Sequence, residues 1–514
     1  MTTIPIRDMG ARGINLDVQS VLLPISEWSD GRNVRFDNQS VQKITGHESF
    51  ADLSSNEPEA LIYWPRPVTP YYVYAHGGTV TRRDGAGAES DIGTGFTEAD
   101  RNWQLTPFNG GYTAVTNNGV DAPHYITYGT SGVANETTLQ ALPDWPTNYV
   151  CNVIRGHQYA LIAGGLQDNT SGAITYMRGS ILVSSQAAPG SIPSSWTVGT
   201  ELLTTADEFE LSSTSEVLDI ISLRTYALVF TRDSIHQLIL ANSRQPTRVQ
   251  TLNEGKGVLA TGCVIALDDS VFAVDKNDIY TTNGSGGITS VADEKVRDYF
   301  FSNLSSTYSD RTRVVRNLAF DEVWIMYPTT ASTGECDEAL IWNYKHDTWS
   351  IRDMPNSRGI TYGPRSTGST FDLSKDHVVF NGYETSSSGN STHLHAGDIT
   401  NQFNGVNYTA TVEHTMIDLG NLMDSEWVES FYPLFAGTGT VDLTFKAANT
   451  PGQVIDFDVN DVDTKSFEFN IADQYKIDPN LNTRFFNMRI QSTNNETWKL
   501  GGYDLTTLQP VDGK

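Results

Sequence analysis

The sequence predicts an all-β chain, a β-propeller with an additional C-terminal β-sandwich domain, and three observations predict it. The composition suits strands and tight turns: Gly contributes 43 of 514 residues, Tyr, Phe and Trp together reach 10%, and Thr, Ser and Asn are abundant. β-Branched and aromatic side chains fit a pleated surface, while Gly and Asn tolerate positive φ in turns. Next, an aromatic and aliphatic strand flanked by turns recurs at a spacing of roughly 40–65 residues, within reach of propeller blades carrying loop insertions. Finally, helical periodicity is weak, and only Ala292–Phe301 reads as a short amphipathic helix.

The recurring strand appears in Pro70–Gly78, Asn109–Gly119, Gly156–Gly165, Leu223–Thr231, Asp269–Asp275, Phe320–Tyr327 and Asp376–Gly382. Each is read as the first strand of a blade, apolar on both faces, followed by a more polar one. Glu338–Pro355 is the clearest case: a strand, a turn over Tyr344–Asp347, a second strand, and Pro355 as a stop. One such unit cannot bury its faces alone, whereas several stacked in a ring can. Residues 58–400 therefore read as a propeller of about six or seven blades.

The flanks differ. Residues 1–57 form an N-terminal arm and hairpin, the hairpin carried by Asn33–Phe36, the turn Asp37–Ser40 and Val41–Ile44. The arm is nearly balanced in charge, which suits docking on a neighbour, or a leading strand that closes the first domain. Leu16, Trp28, Arg32 and Phe36 are its candidate contact residues. Residues 401–514 alternate apolar and polar positions in Tyr408–His414, Val441–Ala447, Ser466–Asn470, Phe485–Gln491 and Trp498–Leu505, as the strands of a sandwich do.

A net charge of −27 argues against general affinity for nucleic acid or anionic lipid, since gripping phosphates takes Lys and Arg. An acidic wall lets DNA slide past; the plainer reading of the charge is solubility. Cys151, Cys263 and Cys336 form no paired motif, consistent with a reducing compartment. The N-terminus has no apolar signal region, and no stretch is long enough to span a bilayer, so no membrane insertion is expected. Sequons such as Asn135, Asn283 and Asn495 read as by-products of composition.

Catalytic patterns are sparse. The pairs Asp207–Glu208 and Asp268–Asp269 point to opposite strand faces and make poor acid/base partners. His393, His395 and Asp398 could bind a metal but read more simply as a polar strand. Asp456–Asp463 is rich in oxygen ligands yet lacks the Gly and Glu of a calcium loop. No Gly-x-Ser-x-Gly elbow or phosphate-cradling loop occurs. Tyr71, Tyr72, Trp103, Trp145 and Trp196 could stack on sugars, although aromatics of this kind more often fill a core. No catalytic residue, cofactor or metal is expected. The enzyme alternative is a carbohydrate-binding or glycan-hydrolysing propeller, including a receptor-binding virion component.

The opening Gly13-Ile-Asn-Leu-Asp, Leu23-Pro, Glu27–Phe36 and Val41–Gly46, the turn Tyr344–Ser350 and the closing Trp498–Leu505 together resemble the tail nozzle proteins of short-tailed bacteriophages, which stabilise packaged DNA. The resemblance is one of pattern spread over most of the chain. It departs at Asn482–Phe486, where a Gly-Arg pair is expected. It implies a virion structural protein, not an enzyme: a homo-oligomeric, hexameric ring below the adaptor (head-to-tail connector) protein. Tail fibre or tailspike proteins would attach at its side, and genomic DNA would pass through the lumen without sequence-specific binding. It implies a place in the virion tail after assembly in the host bacterial cytoplasm.

Overall fold

The structure is a computed structural model. It describes the chain except residues 1, 54–55, 66–68, 99–102, 129–136, 172, 199–205, 213–214, 241–246, 387–388, 420–424, 460–461 and 509–514.

Among the described residues, seven antiparallel four-stranded arrays follow one another along the chain. Their first strands are Ala60–Trp64, Gln104–Phe108, Tyr149–His157, Val217–Ser222, Val264–Ala266, Arg313–Asn317 and Ile360–Ser366. Each first strand adjoins the first strand of the next array, and Ile360–Ser366 returns to Ala60–Trp64, a propeller-like arrangement around an axis. We number these arrays sheets 1 to 7.

The seven apolar segments singled out in the sequence hold the second strand of each sheet, not the first. Thr113–Asn117, Ala227–Thr231, Val271–Val274 and Glu322–Tyr327 are buried at every position. The physical reason is placement. A second strand is paired along both edges and packed by neighbouring sheets on both faces, so it is mostly apolar and its polar residues, such as Thr113, Asn117 and Glu322, are buried too. The first strand has one edge on the axis and keeps polar residues there.

Each junction between sheets combines an apolar cluster with polar staples. Trp64 Nε1 donates to Gly111 O at 2.5 Å, Asn117 Nδ2 to Cys151 O at 2.9 Å, and Arg155 Nη2 lies 3.2 Å from Asp219. Gly262 N donates to Asp219 Oδ2 at 2.7 Å, and Val314 N to Gly262 O at 2.8 Å. Arg358 Nε donates to Glu335 at 2.5 Å, and Tyr72 OH to Pro364 O at 2.8 Å, which closes the circuit from sheet 7 to sheet 1.

The arm supplies five strands: β1 (Thr2–Arg7), β2 (Asp30–Arg32), β3 (Val34–Asp37), β4 (Ser40–Lys43) and β5 (His47–Asp52). β3 and β4 form the hairpin, with Val34 opposite Lys43 and Asp37 opposite Ser40. β5 is the outermost strand of sheet 7, antiparallel to Gly389–Gly397. β2 lies parallel to Thr348–Ser357, the last strand of sheet 6, and antiparallel to Ala410–Asp418. Sheet 6 thereby runs on through β2 into Ala410–Asp418, Phe485–Ser492, Thr440–Ala448 and Thr464–Asn470, nine strands in all. A second sheet joins β1, β3, β4, Trp498–Leu508, Glu426–Gly437 and Leu481–Thr483. The two C-terminal sheets share one apolar cluster, in which the Phe431 and Phe445 rings lie 5.1 Å apart and those of Phe435 and Phe469 5.7 Å apart.

Three local expectations shift. The helix is Arg297–Asn303, later than Ala292–Phe301, because Ala292–Val296 is a turn that caps it. Pro355 does not stop its strand. Thr348–Ser357 continues past it through a register shift, as proline within a sheet can at an irregularity. Glu426–Gly437 is a strand that the sequence pattern does not announce; two bulges, between Val428 and Ser430 and between Pro433 and Phe435, break its alternation.

Candidate functional site

The arm seam gathers buried hydrogen bonds and ion pairs between the arm, sheet 6 and the C-terminal strands. Gly13, at φ +72°, lets the arm cross Trp349, where a Cβ would come within 2.8 Å of the Trp349 nitrogen. Trp28 follows, fully buried, with its Nε1 donating to Met9 O at 2.5 Å. Beyond it the chain alternates. Arg32 faces sheet 6 and bonds Glu338 Oε2 at 2.6 Å and Asp353. Asn33 donates to Asp353 Oδ2 at 2.6 Å and to Thr409 O at 2.8 Å, joining the ring to the C-terminal strands. Arg35 is buried, bonds Glu322 at 2.5 and 3.1 Å and Asp398 at 3.1 Å, and sits 3.6 Å over the Phe320 ring. Burial opposes the Arg35 charge, but the Asp398 and Glu322 carboxylates outweigh it and raise its pKa above the ordinary value.

The four arm candidates therefore meet residues of their own chain. Trp28 and Phe36 are core residues, Leu16 packs half-buried against the same cluster, and Arg32 remains 39% exposed at the seam's edge. Of the seam, the sequence shows Arg32 and Arg35 beside the apolar Val34 and Phe36 in β2 and β3. The acidic partners Glu322, Glu338, Asp353 and Asp398 lie some 300 positions away; of these the sequence singled out only Asp398, and for a different role, beside His393 and His395.

Arg32 also opens onto a polar cleft of about 490 Å³ lined by Tyr299, Asn303, Asp337, Glu338 and Asp353. Glu338 is buried and accepts bonds from Arg32, Tyr299 OH at 3.0 Å, Asn303 Nδ2 at 3.3 Å and Tyr327 OH. Burial and the Glu338 charge push the Tyr299 hydroxyl pKa up, so that hydroxyl stays protonated as a donor. The carboxylates Glu338 and Asp353 share the Arg32 guanidinium.

At the closing edge of sheet 7, the rings of His47 on β5 and His395 lie 4.9 Å apart. His47 also stacks on Phe403 at 4.6 Å, and the buried Arg352 guanidinium lies 5.3 Å from that Phe403 ring. Burial, reinforced by His395 and Arg352, holds His47 well below the usual histidine range, and burial with His393 lowers His395 to about 3. Asp398, the suggested third metal ligand, is taken by Arg35 and by Asn317 at 3.0 Å. No group of three or more metal-ligating side chains occurs among the described residues.

The acidic stretch Asp456–Asp463 is countered from within: Lys446 Nζ donates to the carbonyls of Asp456 and Val459, and Arg489 Nη1 bonds Asp458 at 2.6 Å. Residues 460–461 of that stretch lie outside the described residues. Among the sugar-stacking candidates, Tyr72, Trp103 and Trp196 are buried. Asp207 and Glu208 lie in the outermost strand of sheet 3, and Asp268 bonds Arg316 at 2.9 Å.

A cavity of about 460 Å³ lies on the ring axis, walled by the first strands of sheets 1, 2, 5, 6 and 7 together with Arg155 of sheet 3. A second, adjoining space of about 230 Å³ brings in the first strand of sheet 4 through Asp219–Ser222.

No family model matches the chain. No curated protein matches it either. Among solved structures, a chain of the "Crystal Structure of Mitotic Checkpoint Complex" aligns at 11% identity over 68% of this chain and 94% of that chain, with a TM-score of 0.35. A likeness at that level carries no argument about fold or function.

Proposed function

We propose that the chain is a virion structural protein, the nozzle subunit of a short phage tail, built as a closed seven-bladed β-propeller with a C-terminal β-sandwich. The observation that carries this reading is the arm. Its five strands enter three different sheets, so ring and C-terminal layer are stitched by β2, by β5 and by buried ion pairs into one body. A conduit wall needs that rigidity between its domains, since domains joined only by a linker move relative to each other. The net charge of −27 supports it, because an acidic wall repels passing phosphates. In this reading the subunits form a hexameric ring that docks on the adaptor, carries fibres or tailspikes, retains the genome and opens for ejection. Symmetric closure of identical subunits is what makes such a channel.

The test is mass by light scattering, with negative-stain imaging, of the protein alone and with a candidate adaptor protein. Rings of about six copies with a central hole are expected. A monomer that ignores the adaptor overturns the reading.

The polar cleft favours a second reading, a glycan-binding or glycan-hydrolysing propeller, because it gathers carboxylates around a tyrosine. Glycan binding that is lost in Glu338→Gln would support it; no binding across a broad glycan panel would remove it.

A further inference from the structure

We propose that the axial cavity is a docking site for an acidic peptide segment of a partner protein, an Asp or Glu flanked by apolar residues. This inference does not depend on the nozzle reading.

Four arginines line the cavity: Arg155 from sheet 3, Arg313 and Arg316 from sheet 6, and Arg358 at the entry to sheet 7, three of them also paired with Asp219, Asp268 and Glu335. The chain has only 34 basic residues against 61 acidic ones, so four cations around one space run against its overall balance. All four are arginines, whose planar fork matches a carboxylate. Among the described residues, Glu59 is the single acidic one on this wall.

The guanidiniums are braced from behind. Arg155 bonds Gln104 Oε1 at 2.8 Å and Asp219 at 3.2 Å, and Arg358 bonds both oxygens of Glu335 at 2.5 and 2.7 Å. Arg313 Nη1 bonds the carbonyls of Asp310 and Thr312 at 2.8 and 2.9 Å. Its stem passes over Gly262, where an added Cβ would come within 2.8 Å of the arginine Cδ. Arg316 bonds Tyr344 OH at 2.9 Å and Asp268 at 2.9 Å; the Asp268 side chain is 80% exposed, so this is the most exchangeable of the four clamps. Braced donors that still border a cavity are preorganised for an incoming anion, and each arginine carries five N–H groups to share.

Apolar residues make up much of the rest of the wall, including Ile62, Ile265 and Ile360, beside the polar Gln104, Thr261 and Thr361, and Leu318 is 53% exposed. A bare inorganic anion gains nothing from these surfaces. A carboxylate carried between apolar side chains gains from both, and a volume of about 460 Å³ lies in the range of ligand pockets.

The test is titration calorimetry of the full chain with acetyl-Leu-Asp-Leu-amide, its Asn counterpart and free glutarate, each at about 50 and 300 mM salt. The Asp peptide is expected to bind and to weaken at the higher salt. The Asn peptide should bind at least about tenfold more weakly, because a charge-assisted bond is lost. Arg316→Gln should weaken the Asp peptide about threefold or more, and Leu318→Glu further, with unchanged melting temperatures showing that both variants fold. Tyr475→Ala, in the C-terminal layer, should change nothing. Equal binding of the two peptides, no binding of either, or binding unaltered in both folded variants overturns the proposal. Glutarate binding as tightly as the Asp peptide also overturns it, in favour of a small free carboxylate.

Discussion

Sheet 4 and sheet 6 begin alike and end differently. Sheet 4 stops at its fourth strand, Arg248–Glu254, where no position is buried. In sheet 6 the fourth strand, Thr348–Ser357, is largely buried because β2 lies along its outer edge and carries the sheet into the C-terminal layer. An open edge tolerates polar residues, while a covered edge must satisfy its backbone and bury its faces. The two regions are also held differently. Around the ring, neighbouring sheets meet through apolar clusters, single hydrogen bonds and the ion pairs Arg155–Asp219 and Arg358–Glu335. The seam adds an arginine, Arg35, buried between two carboxylates, Glu322 and Asp398.

The contrast predicts where the molecule breaks first. Glu322→Ala leaves Arg35 on Asp398 without its second carboxylate and removes the acceptor for Trp324 Nε1 at 3.0 Å; unfolding measurements should register a loss of about 3–5 kcal/mol. Replacing Arg35 and Glu322 together with apolar residues should recover much of it, and a double variant as unstable as the single one would show that packing rather than charge dominates the seam. Trp28→Ala removes the largest core side chain of the arm and should cost roughly 3–5 kcal/mol.

Lowering the pH acts on the other arm contact. His47 and His395 are neutral in the folded protein because their pKa values lie below those of the unfolded chain. Stability is thus fully present above about pH 6.5 and falls as pH drops toward their folded values, at up to about 1.4 kcal/mol per pH unit for each histidine. Melting temperatures should hold above about pH 6.5 and decline from there to about pH 5, with β5 amides exchanging early, and His47→Phe should flatten the decline. An unchanged slope in that variant would move the effect to other buried histidines, such as His414. Asn117→Ala, which removes one staple between sheets 2 and 3, should cost about 1 kcal/mol. Arg232→Ala, at an exposed pair with Glu216, should cost less than about 1 kcal/mol and vanish in salt.

Particular residues explain what could be read from the sequence. The seven apolar segments, Pro70–Gly78 through Asp376–Gly382, each mark one sheet because a doubly covered strand is rich in apolar residues. Their rank within the sheet was not legible, since an apolar run is the same whether its neighbour lies on the axis side or outside. Glu426–Gly437 escaped because its bulges erase period two. The aromatics Tyr72, Trp103 and Trp196 read correctly as core, because large aromatic side chains gain the most from leaving water.

The sequence by itself determined the strand content, the recurrence of a buried strand in about six or seven units, the hairpin at Val34–Lys43 and the acidic charge, because each is written in local periodicity or composition. Only the tertiary structure decided that β5 completes sheet 7, that β2 fuses sheet 6 to the C-terminal layer, and that Arg32 and Arg35 find their carboxylates some 300 residues away. Such pairings depend on which edge remains uncovered once everything else has packed, and no local periodicity names the distant strand or charge that will cover it.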